Sequence, residues 1–323
     1  MTSSRRRAIL HLGFNKTGTS SLQDFVALNR ERLRERGICY PKAGSDGVAH
    51  HPLAEALRAN DREALRRIRD ALSAEAAAGE DLLFSSEALA SVTELDALRD
   101  LLADFDVTIV AYVREHTSHL VSWYQQDIQM SDMSCSFRQY AWQNRRVFGW
   151  QLESWRKAFG RERMQVRLYD RRVLADGDIV ADFMGLVGVG DRDGWQRKPY
   201  ENNPSVTGNL LFFKKLCNCF GGPELRAITS EIQQLSKLSP RFRGNLHVPE
   251  ALVADIVRQN SSDREMLRAT YGIEIPERKG ALDGQPMPDA ATLREDWDLV
   301  FGAAREGDMA FARLLAPFRI VGV

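Results

Sequence analysis

The chain has no surplus of charge: across 323 residues, 44 lysines and arginines balance 44 aspartates and glutamates. No overall field points to nucleic acid or to an anionic membrane, so any anion binding has to be local. Cysteine is scarce. Four are present, two of them in Cys217-Asn218-Cys219, and they make neither a disulfide framework nor a zinc pattern, which leads us to expect a cytoplasmic protein with reduced thiols. No apolar run approaches the roughly eighteen residues of a membrane span. Arg5-Arg6-Arg7 opens like a signal peptide, but the apolar run from Ala8 to Phe14 is too short to continue one. There is no internal repeat. At 44% hydrophobic and 27% charged residues, the composition is that of an ordinary globular protein, long enough for one large α/β domain or two smaller ones.

What is present is concentrated near the start. Ala8 to Leu12 reads as a short buried strand, and it runs into Gly13-Phe14-Asn15-Lys16-Thr17-Gly18 before a helix opening with Thr19, Ser20 and Ser21. Backbone N–H groups at a helix start, hydroxyls and one ammonium would converge there, a setting that suits a phosphate or sulfate group. The spacing is close to the G-x-x-x-x-G-K-[ST] nucleotide loop, but Thr19 stands where that loop has its lysine, and the lysine has moved to position 16. From inside the turn it would meet the atom linking the terminal group to the rest of a nucleotide, a placement suited to leaving-group stabilisation.

Further along, Leu22, Phe25, Val26, Leu28 and Leu33 keep one apolar stripe, which predicts a helix ending at Gly37. The histidine pair His50-His51 either faces a substrate or begins a helix and bonds its own loop. Asp81 to Phe84 reads as a buried strand with Ser85-Ser86-Glu87 at its carboxyl end, the end at which parallel sheets bind ligands. Glu87 is therefore a candidate general base or, alternatively, a carboxylate serving a helix start. Thr93 has the look of an N-cap. Val107 to Val113 is the strongest strand signal, and it ends in Arg114, where a nucleotide-hydrolysing enzyme would place an Mg²⁺-binding aspartate. An arginine there offers an anion site and no metal ligand. Aromatic residues from Trp123 to Trp155 fall at helical spacing, as core residues do. Helical patterns dominate from Ser205 onward, including Pro249 to Tyr271.

Lys16-Thr17-Gly18-Thr19-Ser20, and Arg114 with Ser122 eight residues later, resemble the two cofactor motifs of the sulfotransferases that use 3′-phosphoadenosine 5′-phosphosulfate (PAPS). Val166 to Asp170 and Asp178 to Phe183 resemble a later strand and helix of that fold, and Ser85-Ser86-Glu87 resembles a segment of bacterial capsule and glycan sulfotransferases. The resemblance covers roughly residues 8 to 190. It implies an α/β protein with a three-layer parallel sheet of about five strands, a core over about 8–190, and a helical cap over about 200–323, the whole of 1–323 acting as one domain.

The resemblance also implies roles. The 5′ end of PAPS would be held by Lys16, Thr17, Gly18, Thr19, Ser20 and Ser21, and its 3′-phosphate by Arg114 and Ser122. Lys16 would assist the departing group, and Glu87 would take the acceptor's proton, with His50 or His51, of which we favour His51, as the alternative base. No metal is called for. The acceptor would be a hydroxyl on a glycan, a glycolipid or a small metabolite. Asn15 departs from the proline common before the lysine. Arg278-Lys279-Gly280 matches the letters of a further 3′-phosphate motif, in different surroundings. Two other readings stay open: a small-molecule kinase using ATP and Mg²⁺, and a non-catalytic nucleotide- or glycan-binding protein.

Overall fold

The computed structural model describes residues 6–318, apart from 78, 146, 191, 199–204, 223, 224, 226 and 227. Arg5, of the opening Arg5-Arg6-Arg7 run, lies outside the described residues. In chain order the elements are β1 (Arg7–Leu12), α1 (Thr19–Leu28), α2 (Arg30–Glu35), β2 (Ile38–Cys39), α3 (His51–Arg58), α4 (Arg62–Glu75), β3 (Asp81–Ser86), α5 (Asp96–Leu101) and β4 (Asp106–Val113). There follow α6 (His116–Met130), α7 (Phe137–Gln143), α8 (Phe148–Phe159), β5 (Met164–Leu168), α9 (Ile179–Val187), α10 (Gly208–Asn218), α11 (Thr229–Leu235), α12 (Glu250–Gln259), α13 (Ser261–Tyr271), α14 (Leu293–Glu306) and α15 (Ala310–Leu315). No helix of the described residues is long and apolar enough to cross a membrane.

The chain divides into two compact units whose segments interleave. The first comprises Met1–Arg114, Val147–Tyr200 and Ser261–Pro276, and the second Glu115–Arg146, Glu201–Asn260 and Glu277–Val323. The first unit holds a five-stranded sheet in the order β2-β3-β1-β4-β5, parallel throughout. This is the α/β class expected from the sequence. Every residue of β1 after Arg7 is buried, as a central parallel strand covered on both faces requires.

Strand alternation sorts the core into two layers. Leu10, Phe84, Ile109 and Val166 point to one face, where they pack with Leu53, Leu65, Leu98, Leu152 and Leu267 of α3, α4, α5, α8 and α13. Ile9, Leu83, Val110 and Tyr112 point to the other, against Leu22, Phe25, Phe183 and Met184 of α1 and α9. The chain leaves β1 toward β3 and leaves β4 toward β5, so the sheet reverses its winding direction between β1 and β4. In open parallel sheets the crevice at that point, outside the strand carboxyl ends, is where ligands bind.

The second unit is helical around a core of its own, with Tyr124 and Ile128 of α6, Phe213 of α10 and Val300 of α14 among its buried members. Lys214 is fully buried there and donates to the Ser131 carbonyl at 3.1 Å, while Asn218 donates to the carbonyls of Ile128 and Met133. The two side chains serve acceptors at the end of α6 that the helix itself leaves open. Burial pushes the Lys214 amine down to about 8.

Two local expectations fail. The helix predicted to run to Gly37 breaks at Asn29, whose buried amide donates to the carbonyls of Phe25 and Gln196, a side-chain alternative to the helix ladder. Thr93 caps nothing: α5 starts three residues later, after the buried Leu95. The helical pattern from Pro249 to Tyr271 is present as two helices that meet at Asn260, whose amide donates back to Ile256.

Candidate active site

Gly13 N–H donates to the Ser86 carbonyl at 3.2 Å, which ties the end of β1 to the end of β3. The Phe14 ring then anchors the loop against Phe148 with centroids 5.1 Å apart. Its carbonyl draws in three donors: Thr17 N–H at 3.3 Å, Thr17 Oγ1 at 2.6 Å and Thr19 Oγ1 at 3.1 Å. The structure thus gives both threonine hydroxyls an internal task, closing the loop on itself, and both residues are buried. Ser20 is exposed and Ser21 half-buried at the start of α1.

Two residues of the loop hold left-handed backbone, Lys16 at φ 67° and Gly18 at φ 79°. A β-carbon on Gly18 would come within 2.9 Å of the Tyr169 ring, and one on Gly13 within 2.2 Å of Thr19 Cγ2. The loop therefore closes only with glycine at both positions. Lysine at a left-handed position costs roughly 1 to 2 kcal/mol, and the surroundings hold it there: Arg114 Nη1 donates to the Lys16 carbonyl at 2.9 Å, and the Arg114 guanidinium lies 5.8 Å from the Tyr169 ring centroid. α1 follows Gly18 with no side-chain cap and no acidic residue in its first turn. Its leading N–H groups, at the positive end of the helix, thus have no acceptor supplied by a capping side chain, and with the tight glycine turn they form a cradle suited to an anionic group.

One strand over, the parallel register sets Leu12 beside Ser86 and His11 beside Ser85. His11 shares a 2.8 Å hydrogen bond with Ser85 Oγ, and burial pushes its imidazole down to about 3. The adjacent histidines at 50 and 51 separate cleanly. His50 accepts from Ser85 N–H at 3.2 Å and donates to the Pro41 carbonyl at 3.0 Å. Both of its nitrogens are committed, and burial takes it down to about 4, so it is a neutral structural residue.

His51 Nδ1 lies 2.7 Å from Ser86 Oγ, and its Nε2 lies 3.7 Å from Glu87 Oε1 and 4.0 Å from Asp46 Oδ2. Ser86 Oγ also accepts from Ala88 N–H at 3.1 Å, and its own proton is available to Nδ1 in one of the two ring tautomers. That tautomer, protonated on Nε2, would turn an N–H toward the two carboxylates, and the other a lone pair. Burial works against the charge on Asp46, but the N–H groups of Ala49 and Val48 outweigh it and hold the carboxyl below its ordinary range. Glu87 Oε2 accepts from the Gln23 side-chain amide at 2.8 Å.

The first unit thus brings together Lys16, Gly18 and Arg114 at the loop, and Glu87 with His51 beside β3. Ser122 lies half-buried on α6, in the second unit. Arg278 is also in the second unit, donating to Glu115 Oε2 at 3.2 Å and Ser118 Oγ at 3.1 Å. Burial opposes the charge on Glu115, but its bonds from the Ser118 hydroxyl and from the N–H groups of Ser118 and Thr117 hold its carboxyl low. Arg278 therefore helps cap the start of α6.

Gln23, Tyr169 and Asp46 were not singled out from the sequence. Only Gln23 carried a signal, as a lone amide in an otherwise apolar helical stripe that has to find a buried partner. Among the described residues no group of three or more His, Cys, Asp or Glu is placed to hold a metal ion. A groove of about 590 Å³ is lined by Arg62, Arg66 and Arg69 of α4 and by Asp96 and Asp100 of α5. Neither Lys16 nor Glu87 lines it.

No protein-family model matches the chain. A stretch of 128 residues is 27% identical to an uncharacterized protein of Archaeoglobus fulgidus, covering 39% of this chain and 35% of that protein. The match thus spans about a third of that relative's length. Among solved structures, the chain is similar to a sulfotransferase from Alicyclobacillus acidocaldarius at 15% identity, over 84% of this chain and 97% of the other, with a TM-score of 0.48. A likeness of that degree adds nothing to what the sheet order and the loop already establish.

Proposed function

We propose that the chain is a sulfotransferase that moves the sulfuryl group of PAPS to a hydroxyl of a glycan, a glycolipid or a small metabolite, the full chain acting as one catalytic domain in the cytoplasm. The observation that carries the reading is the placement of Lys16, inside a glycine-bounded turn, with its peptide held by Arg114 and directly ahead of the uncapped start of α1. In this reading the leading N–H groups of α1, with Ser20 and Ser21, hold the 5′ end. The Lys16 ammonium neutralises the oxygen on which charge builds as its bond to sulfur breaks. Glu87 takes the proton of the acceptor hydroxyl while the new oxygen–sulfur bond forms, with His51 alongside. PAPS, when bound, supplies the activated sulfuryl group. The reading calls for no metal, because a sulfate ester carries less charge than a phosphate and β4 ends in an arginine.

A mass-spectrometric screen of hydroxyl acceptors with PAPS, with Lys16→Ala as the control, tests this. The expected result is an added sulfuryl group that Lys16→Ala abolishes and Glu87→Gln strongly reduces. Near-normal turnover by Lys16→Ala would end the proposal. Transfer from ATP that depends on Mg²⁺ would identify a kinase instead, and binding of the desulfated cofactor without transfer to any acceptor would identify a binding protein.

A further inference from the structure

Gln23 is only 3% exposed, on the face of α1 that carries Leu22, Phe25 and Val26 into the core. An apolar residue would be the default there, since a buried amide is stable only with hydrogen-bond partners. Its Nε2 lies 2.8 Å from Glu87 Oε2. The other carboxylate oxygen, Oε1, stands 3.7 Å from His51 Nε2, beyond hydrogen-bond range. One oxygen of Glu87 is therefore fixed and the other left available. Gln23 follows Thr19, the first residue of α1, by four positions, about one helical turn.

The geometry points to Gln23 as the positioning residue for Glu87: its amide fixes Oε2 and presents Oε1 to the acceptor, so that the helix springing from the anion loop also aims the base. The identity of the proton taken rests on the sulfuryl-transfer reading, while the pairing does not. The donor loop and the residue that orients the base are then carried on one rigid element, and their separation is set within a single turn of helix. Proximity of this kind is a large part of what an active site contributes to a two-substrate reaction. The ionisable groups around Glu87 are His51 of α3, which also has Asp46 of the preceding loop beside it, and Tyr40 after β2.

The test is a carboxyl ¹³C titration of Glu87, its signal assigned by its loss in Glu87→Gln, in the wild type, in Gln23→Met and in Gln23→Asn. Methionine fills the space without a donor. Asparagine keeps an amide one methylene short of Glu87, and it serves if the methionine variant does not fold. Losing a donor to the charged oxygen is expected to raise the Glu87 midpoint by about one pH unit. With an active acceptor, kcat should fall about tenfold because the carboxylate is no longer held toward the acceptor, while affinity for the desulfated cofactor stays unchanged. An unmoved midpoint in a folded variant overturns the proposal even where transfer is confirmed. A raised midpoint in a protein that transfers nothing keeps the pairing and removes the sulfotransferase reading.

Discussion

Replacing Lys16 by glycine and, separately, by alanine should pull apart two properties of position 16, its backbone conformation and its charge. Alanine removes the ammonium and the aliphatic stem but keeps a β-carbon at φ 67°, so the left-handed cost stays. Glycine removes the same groups and that cost as well. Release of the left-handed penalty is worth roughly 1 to 2 kcal/mol, against which glycine gives back about 0.4 to 1 kcal/mol of chain entropy in the unfolded state. Lys16→Gly should therefore be more stable than Lys16→Ala by about 0.5 to 1 kcal/mol, with the lost stem cancelling between the two. Urea unfolding of both variants reads this directly, and for a chain of this size the gap corresponds to about 1 °C in Tm. Both variants should be inactive. A glycine variant less stable than the alanine variant would show that position 16 is not left-handed in solution, and the account of the loop as a turn held against its own preference would fail.

Gly13→Ala places a methyl group 2.2 Å from Thr19 Cγ2 and should cost about 2 kcal/mol or more. Thr19→Ser, which deletes Cγ2, should recover part of that loss in the double variant, and simple additivity in urea titrations would argue against the contact. His11 and His50 are held neutral down to about 3 and about 4 against an ordinary 6.5, so the unfolded chain takes up their protons first. Stability should accordingly fall as pH drops from about 6.5 toward 4, by roughly 2 kcal/mol per histidine at pH 5, and equal unfolding midpoints at pH 7 and 5 would contradict their buried neutral state. Arg114→Ala should weaken calorimetric binding of the desulfated cofactor by about ten- to a hundredfold, with a smaller loss for Ser122→Ala. Unchanged affinity in Arg114→Ala would take that residue out of the binding role.

The sheet and the anion loop were legible because their signals are local. A continuous apolar run such as Val107 to Val113 has one comfortable fate in an α/β protein, and glycines five apart around a lysine constrain a turn whatever surrounds it. The details of the site were less legible because they depend on which strand lies beside which. His50 and His51 are neighbours with the same chemistry, and only the pairing of β1 with β3 turns one into a structural residue and sets the other against Glu87. The threonine hydroxyls, read as anion ligands, turn inward because the Phe14 carbonyl is a nearer acceptor. Gln23 escaped notice because its meaning lies in a residue 64 positions away.

The interleaving of the two units bears on how the protein is made. The face of the sheet that carries Leu10 and Ile109 is completed by Leu267 and Tyr271 of α13, although the last strand ends at Leu168. A ribosome must therefore translate all of α9 to α12, much of it belonging to the other unit, before that face is covered. At roughly 5 to 20 residues per second this interval is on the order of ten seconds, during which a finished parallel sheet would show apolar side chains to solvent or to a chaperone. Any truncation that stops short of Tyr271 leaves that gap permanent.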